Sequence, residues 1–206
     1  MVTAYPIPTL SAPLVRLEPL SHDHVDGLFQ AAEEDRSAYG FTNVPQTRDA
    51  MDEYVGDLLR MWGAGEVVPF AQVDVATNRP VGATRLMTIR AIERSRNPYA
   101  VEIGGTWLAA SAQRSGLNTE AKLLLLEYAF GTWNVGRVDL KTDARNDRSR
   151  NAILRIGASF EGVLRHWQPS QVEGEENRLR DSAFFSILDV EWPRVREHLR
   201  SLSHAH

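Results

Sequence analysis

Apolar residues recur at helical spacing in two segments near the start of the chain. In residues 21–34, which begin at a candidate cap, Ser21, the apolar stripe consists of Val25, Leu28 and Phe29. From about residue 47 a second stripe repeats every three or four positions: Met51, Tyr54, Val55, Leu58, Leu59 and Trp62. Gly63 follows it, and glycine commonly ends a helix. The pattern predicts two consecutive helices.

The rest of the chain alternates between strand and helix patterns. Seven segments are predicted as strands: 14–18, 67–75, 81–92, 101–108, 137–142, 160–167 and 182–189. Three more helices are predicted at 119–133, at 146–156 and from about residue 192. The order is β-α-α-β-β-β-α-β-α-β-β, followed by a terminal helix. Its two strand–helix–strand crossovers predict an α/β fold, with a partly parallel central sheet of about seven strands flanked by helices.

Composition narrows the class of protein. The chain has 206 residues, of which 43% are hydrophobic, and a net charge of −4. We expect one domain over residues 1–206, with an N-terminal extension at 1–13 and a terminal helix and tail at 191–206. The acidic balance argues against nucleic acid or an anionic membrane as a partner. No apolar run approaches the about 20 residues that span a bilayer, and without a signal-peptide pattern we expect a cytoplasmic protein.

Cysteine is absent. Its absence excludes disulfides, thiolate zinc sites, iron–sulfur clusters and a thioester formed on the protein itself. The six histidines show no metal-binding spacing, and two of them, His204 and His206, lie on the C-terminal tail. No P-loop pattern is present either. We therefore predict no metal site and no P-loop nucleotide chemistry.

A glycine-containing loop lies between the predicted strand at 101–108 and the predicted helix at 119–133. Its residues are Gln113, Arg114, Ser115, Gly116, Leu117 and Asn118. The first turn of a helix has backbone N–H groups without partners, and the helix dipole favours negative charge there. Gly116 allows the backbone to come close to a ligand. The sequence therefore predicts a site for a diphosphate.

From Trp107 onward the chain resembles the GNAT superfamily of N-acetyltransferases, and within it the ribosomal-protein (RimJ/RimL-like) type. Gln113 and Gly116 match the pyrophosphate motif Q/R-x-x-G-x-G/A, with Asn118 in place of the last small residue. Residues 137–149, RVDLKTDARNDRS, are similar to the family's strand and its Asn-x-x-Ser helix start. The resemblance implies a GNAT-like fold with acetyl-CoA as cosubstrate. It also implies direct attack of an acceptor amine on the thioester.

The resemblance assigns cofactor contacts to the loop and to the start of a later helix. The predicted residues are Trp107, Leu108, Gln113, Arg114, Ser115, Gly116, Leu117, Asn118, Thr119, Asn146 and Ser149. Backbone N–H groups from Arg114 to Thr119 are the expected phosphate donors, and Asn118 is expected to cap the helix. Trp107 has a second interpretation, because a strand tryptophan is more often part of the core.

Aminolysis of a thioester needs a base for the amine, a donor for the oxyanion and an acid near the departing thiolate. Glu102 is the candidate base, directly or through water, because the resemblance places its strand beside the acetyl group. The alternative is a surface glutamate, or one paired with Arg85 or Arg137. Gly104 and Gly105 are expected to mark a strand bulge that offers a backbone donor, or else a site of close packing.

Asn146 and Ser149 have both a structural and a functional interpretation. Asn146 is a favourable N-cap and Ser149 shares its helix face, so local structure alone explains both. The resemblance implies that the asparagine contacts the pantetheine arm and that the serine protonates the thiolate or hydrogen-bonds to it. The charged neighbours are predicted to form a solvated face: Arg145, Asp147, Arg148 and Arg150.

The resemblance places the acceptor between the loop joining the first two helices and the last hairpin. The residues predicted to form an aromatic wall there are Tyr39, Phe41, His166 and Trp167. Three glutamates either attract a cation or form an ordinary solvated loop: Glu173, Glu175 and Glu176. An N-terminal α-amine, an amino acid, a polyamine and an antibiotic all remain possible acceptors.

Two other functions are considered. A non-catalytic acyl-CoA-binding module would keep the cofactor groove without turnover. A dinucleotide-binding domain is disfavoured, because G-x-G-x-x-G is absent and the glycine loop follows several strands. A monomer and a homodimer are both compatible with the sequence.

Overall fold

The computed structural model describes residues 4–92, 97–175 and 177–203, so His204, His206 and Glu176 lie outside the described residues. Within these ranges one sheet has the spatial order β1-β2-β3-β4-β5-β6-β8-β7. Its strands are β1 (Leu10–Ser11), β2 (Val15–Pro19), β3 (Val68–Asp74), β4 (Arg79–Arg90), β5 (Ala100–Leu108), β6 (Arg137–Asp143), β7 (Ser159–Pro169) and β8 (Leu179–Leu188). The predicted α/β fold is confirmed, and β1 is a short edge strand that the pattern did not predict.

Five α-helices accompany the sheet in the described residues. They are α1 (Val25–Glu33), α2 (Arg48–Gly63), α3 (Leu117–Glu127), α4 (Asp147–Arg155) and α5 (Trp192–Ser203). Short 3-10 turns occupy His22–His24, Arg36–Tyr39 and Ala110–Ala112, and a π-helical segment, Tyr128–Thr132, extends α3. The terminal helix is confirmed. No helix in the described ranges is long and apolar enough to cross a membrane.

The order of the strands explains how the two crossovers contribute to the sheet. The crossover through α3 joins β5 to β6, which are parallel neighbours. The crossover through α4 joins β6 to β7, but β8 lies between them and pairs antiparallel with both. Only the first crossover therefore creates a parallel pair of adjacent strands.

Helices and turns cover both faces of β5. Lys122 of α3 donates a hydrogen bond to Thr106 Oγ1 at 2.7 Å. The ring of Tyr39 packs edge-on against the next strand residue, Trp107, with 5.9 Å between ring centroids. Because adjacent strand residues point to opposite faces, α3 and the turn carrying Tyr39 lie on opposite sides of the sheet. The apolar core fills the space between the sheet and these elements.

The sheet divides between β5 and β6. These strands pair only at Ala100–Arg137, Val101–Val138 and Glu102–Asp139, although β5 continues to Leu108 and β6 to Asp143. On the other side of β5, Gly104 pairs with Arg85 of β4 and Trp107 pairs with Ala83. The chain therefore moves three positions along β5 while it moves only two along β4. The expected bulge at this position is therefore confirmed.

Gly105 is the residue that makes the bulge possible. Its φ is +57°, in the left-handed region that favours glycine. A Cβ on Gly105 would also lie 2.6 Å from the guanidinium carbon of Arg85. The bulge and the early end of pairing together leave a wedge-shaped cleft between the two central strands.

Candidate functional site

The loop predicted to bind phosphate has the backbone geometry of an anion site. Arg114 and Gly116 have φ values of 63° and 86°, and α3 begins directly after Gly116. The N–H of Thr119 donates to the Gly116 carbonyl at 2.9 Å. In contrast, the N–H groups of Ser115, Gly116 and Asn118 have no hydrogen-bond acceptor in the described part of the chain. Unpaired N–H groups at a helix N-terminus beside left-handed residues form a concave site for an anion.

Two predictions about this loop are wrong. Asn118 does not cap α3, because the left-handed Gly116 occupies the N-cap position and Asn118 already lies inside the first turn. Its Oδ1 is buried without a hydrogen-bond partner. The N–H of Thr119 is not a free phosphate donor, because Gly116 accepts it, and the Thr119 hydroxyl accepts from Arg155 at 3.1 Å. Thr119 therefore joins α3 to α4. Leu117 is buried in the core.

Gln113 connects the loop to both sides of the cleft. Its amide nitrogen donates to the Leu108 carbonyl at 3.0 Å, at the end of β5. Its amide oxygen accepts from Arg148 of α4, also at 3.0 Å, and Arg148 donates in addition to the Ala38 carbonyl at 2.9 Å. Arg148 is exposed, as predicted for a solvated face, and these two bonds hold its side chain across the open end of the cleft.

Trp107 and Leu108 belong to the apolar core, as the second interpretation of Trp107 predicted. Trp107 is 5% exposed, and its indole N–H is buried without a hydrogen-bond partner within the described ranges. The Leu108 carbonyl accepts from the Tyr39 hydroxyl at 3.2 Å as well as from Gln113. Burial, with the charge of Glu34 as a lesser cause, raises the pKa of Tyr39 to about 12. Tyr39 therefore remains a neutral donor that fixes the end of β5.

Glu102 lies at the vertex of the cleft, as the last residue of β5 that pairs with β6. It is 5% exposed. Lys141 Nζ donates to its two carboxylate oxygens at 2.9 and 2.8 Å, and Thr88 Oγ1 donates to Oε2 at 3.1 Å. The interpretation as a surface glutamate, or as a partner of Arg85 or Arg137, is wrong. Arg137 instead pairs with Asp139 and Glu161.

Asn146 and Ser149 form the N-cap that local structure predicts. Asn146 Oδ1 accepts the backbone N–H of Ser149 at 3.0 Å, directly before α4. Within the described residues the Ser149 hydroxyl makes no hydrogen bond, so the cap uses only the backbone of Ser149. Capping is confirmed, and the cofactor contacts of both residues remain predictions.

One face of β5, β6 and β8, here called the charged face, carries Glu102, Lys141, Asp143, Arg180 and Ser182. Cross-strand pairing places them together, since Asp139 is opposite Glu102 and Asp143 is opposite Ser182. Asp143 is buried, and Arg145 donates to it from both backbone and side chain. Desolvation is the largest single effect and would raise the pKa of Asp143, but the Arg145 hydrogen bonds and the charges of Arg145 and Arg180 together hold this pKa below its usual value.

The loop near Glu175 contacts the charged face through an ion pair with Arg145. Arg145 donates to both carboxylate oxygens of Glu175 at 2.9 Å, and its guanidinium lies 5.6 Å from the centre of the Phe41 ring. Glu175 also accepts from Ser170. The Arg145 side chain is 51% exposed, as predicted for a solvated face, but Glu175 is only 18% exposed and pairs with it, so Glu175 is not an ordinary solvated loop residue. Glu173 is exposed.

The four residues predicted to form an aromatic wall contact different neighbours and do not form one continuous surface. Tyr39 packs on Trp107, Phe41 lies below Arg145, and Trp167 packs edge-on against Phe184 at 5.3 Å. His166 lines an open pocket of about 320 Å³ together with Asp143, Arg145 and Arg180. No ring contact joins these four predicted residues in the described chain. Phe41 and His166 lie at the charged face, whereas Tyr39 lies at the end of β5.

Sequence reasoning missed Lys141, Arg180, Ser182 and Lys122. A signal existed for the first, because β6 reads Arg-Val-Asp-Leu-Lys-Thr-Asp, and this alternation puts Asp139, Lys141 and Asp143 on one face. Lys122 is buried on the opposite face, where burial lowers the pKa of its amine to about 7. Among the described residues, no cluster of three or more His, Asp or Glu side chains is arranged to hold a metal ion.

Comparisons with known proteins agree with this geometry. Residues 15–159 match the family model described as an acetyltransferase (GNAT) domain. An uncharacterized N-acetyltransferase p20 of Bacillus licheniformis is 26% identical over 152 residues, which cover 74% of this chain and 77% of that protein.

Solved structures show the same fold. A GCN5-related N-acetyltransferase from Brucella melitensis is 29% identical, with a TM-score of 0.81 over 96% of this chain and 86% of its own. RimJ of Mycobacterium smegmatis in complex with CoA-disulfide is 18% identical, with a TM-score of 0.75 over 95% and 93%. At that identity the second similarity concerns the fold alone.

Proposed function

The chain belongs to the GNAT family of acetyltransferases, and we propose that it transfers the acetyl group of acetyl-CoA directly to a primary amine, on a protein N-terminus or a small molecule. The observation that carries this proposal is the cleft between β5 and β6. A helix N-terminus with unpaired N–H groups lies beside its open end, and a buried carboxylate, Glu102, lies at its vertex. Acetyl-CoA would supply the thioester that reacts.

The residues of the loop fit the diphosphate of coenzyme A. The N–H groups of Ser115, Gly116 and Asn118 are free to donate to phosphate oxygens, and the exposed Arg114 side chain adds positive charge beside them. Asn146, at the start of α4, would contact the pantetheine arm. Ser149 keeps its hydroxyl free for a hydrogen bond to the departing thiolate.

Glu102 would receive the proton that the acceptor amine must lose, directly or through a water molecule. An α-amino group titrates near about 8 and is mostly protonated at neutral pH. The hydrogen bonds from Lys141 and Thr88 fix the orientation of the carboxylate. The bulge at Gly104 and Gly105 would offer a backbone N–H to the oxyanion of the tetrahedral intermediate.

One observation favours a second candidate, an acyl-CoA-binding module without turnover. Lys141 engages both oxygens of Glu102, an arrangement that also suits a carboxylate with a purely structural role. The two candidates share the cofactor groove and differ only in turnover. A cytoplasmic location and a monomeric or homodimeric state remain part of the proposal.

The test is calorimetric titration with acetyl-CoA, with NAD as the control ligand, followed by an amine panel. Thiol release can be followed with a disulfide reagent, since the chain contains no cysteine and every thiol detected is coenzyme A. Saturable binding of acetyl-CoA alone together with thiol release that depends on an amine is the expected result. Binding without turnover across the panel would support the acyl-CoA-binding module, and absence of binding would refute both.

A further inference from the structure

Two neighbouring residues of the charged face have polar groups without partners. Arg180 is 8% exposed, and its Nε is buried with no hydrogen-bond partner among the described residues. Ser182, two residues further along β8, is 0% exposed, and its hydroxyl also lacks a partner in the part of the chain that the structure describes. Residues two apart on a strand point to the same face, about 7 Å from each other. Buried polar groups are almost always hydrogen-bonded in folded proteins, so this pair requires an explanation.

The acids around Arg180 already accept hydrogen bonds. Of those that line the same pocket, Glu175 accepts from Arg145 and Asp181 accepts from the backbone N–H of His166. Asp143 accepts three hydrogen bonds from Arg145, and Glu102 accepts three from Lys141 and Thr88. Within the described residues, no carboxylate lies within ion-pair distance of Arg180. Burial lowers the pKa of the Arg180 guanidinium, and the charges of Asp143 and Glu102 oppose this effect from further away. The guanidinium is therefore a buried cation with free donors, a state that an anionic partner would stabilise.

The position of Arg180 connects it with the proposed acceptor site. It lines the open pocket of about 320 Å³, and His166 and Arg145 belong to the same lining. The pocket lies on the face that carries Glu102 at the vertex of the cleft. Glu102 does not itself line the pocket, so a molecule held by Arg180 would have to extend from the pocket along this face toward β5 to reach Glu102.

We propose that Arg180, assisted by Ser182, binds a carboxylate of the acceptor, so that the acceptor is an amine that also carries a carboxylate. The inference rests on the proposed acetyl transfer. A planar guanidinium matches the two oxygens of a carboxylate, and a hydroxyl adds one further donor. The carboxylate belongs either to a free amino acid or to an acidic residue that follows the N-terminal residue of a peptide.

The experiment compares acceptors that differ only in this charge. One arm pairs free L-amino acids with their carboxamides. The other arm pairs amidated peptides in which an N-terminal serine is followed by aspartate or by asparagine. The readout is kcat/KM from coenzyme A release. We expect a preference for the carboxylate of about tenfold or more in one arm, because a hydrogen bond to a charged group contributes about 1.5–3 kcal/mol.

Variants identify the residue responsible. Arg180→Gln should reduce the preference to about one, mainly by lowering kcat/KM for the partner that carries the carboxylate, and Arg180→Lys should retain part of the preference. Arg194→Gln is the matched control, since Arg194 is an exposed arginine of α5 that does not line this pocket. It should leave the preference unchanged.

The outcomes separate the two proposals. Equal rates for both members of every pair, or a preference that survives in Arg180→Gln, would overturn the role of Arg180 and leave acetyl transfer intact. If no amine is acetylated by a protein that binds acetyl-CoA, the proposed function fails and this inference fails with it. Should Arg180→Gln not fold, Ser182→Ala removes a hydroxyl without a partner and should lower the preference severalfold. An unchanged preference in Ser182→Ala would then contradict the inference.

Discussion

The cofactor loop and the charged face lie on either side of the same cleft and are built by different means. The loop uses backbone groups, and its geometry depends on the left-handed conformations of Arg114 and Gly116. The charged face uses side chains of β5, β6 and β8, held by ion pairs such as Glu102–Lys141. A backbone site can be recognised from a short motif. A side-chain site of this kind depends on how distant segments pair.

The largest effect should come from the charged face. Glu102→Gln removes the proposed base and should lower turnover by about 10²–10⁴-fold, with acetyl-CoA affinity almost unchanged. The loss should be greatest at low pH, where a smaller fraction of the acceptor amine is neutral. Initial rates between about pH 6 and 9 provide the measurement. Glu161→Gln is the control, because Glu161 is a carboxylate with a 39% exposed side chain, and normal turnover in Glu102→Gln would remove the base from the mechanism.

The two lysines should respond in opposite directions to the same substitution. Lys141→Met leaves Glu102 buried without its cation and should lower the free energy of unfolding by about 3–5 kcal/mol. Lys122→Met removes an amine with no acidic partner and should raise that free energy at neutral pH by about 1–3 kcal/mol, even though the bond to Thr106 is lost. Urea unfolding of both variants gives the comparison.

Lys122 also makes stability depend on pH. Its pKa is about 7 in the folded chain against an ordinary 10.5, so the unfolded chain binds more protons between these values. The contribution of Lys122 therefore destabilises the fold most below pH 7 and becomes less unfavourable as pH rises toward 10.5. Lys122→Met should abolish this part of the pH dependence of the free energy of unfolding. An identical slope in the variant would assign it to other groups.

On the cofactor side, Gly116→Val tests the backbone geometry. A β-branched residue at φ 86° is strained by about 1–3 kcal/mol, and we expect acetyl-CoA affinity to fall by about tenfold or more. Gly65→Val is a matched control, since Gly65 has φ 76° at the end of α2, outside the loop. It should destabilise the fold similarly without changing the affinity. Equal affinities in all three proteins would exclude the loop from binding, as judged by calorimetry.

The smallest effects are expected at the start of α4, where two substitutions distinguish helix capping from a role in catalysis. Asn146→Ala removes the oxygen that accepts the Ser149 N–H and should lower the free energy of unfolding by about 1 kcal/mol. Ser149→Ala keeps that N–H, so stability should stay the same while turnover falls by up to about tenfold, if the hydroxyl assists the thiolate. Denaturation and rate measurements on the same preparations of both variants compare their stability and turnover. A stability loss in Ser149→Ala would point to a structural hydroxyl.

The sequence predicted most of the fold because its elements depend on local patterns. The order of helices and strands, the bulge near Gly105 and the cap at Asn146 all follow from residues close together in the chain. Glu102 was found because an acid inside a strand is unusual.

The charged face was predicted only in part. Lys141 was missed as the partner of Glu102 because it lies 39 residues away, and contact between them requires the parallel register of β5 and β6. Arg180 was missed because β8 inserts between β6 and β7, and order along the chain does not reveal this. Asn118 was misassigned because Gly116 begins the helix earlier than the apolar pattern indicates.

Lys122 is buried and the Lys141 side chain is only 13% exposed, and this has a consequence for an enzyme that works beside a reactive thioester. They are the only lysines among 23 basic residues, the remainder being arginine, which stays protonated and is a poor acyl acceptor. Each holds its amine in hydrogen bonds inside the fold. Acetyl-CoA in solution therefore meets arginines rather than lysines on the protein surface, and the lysine nearest the proposed base, Lys141, has its amine held by the Glu102 carboxylate.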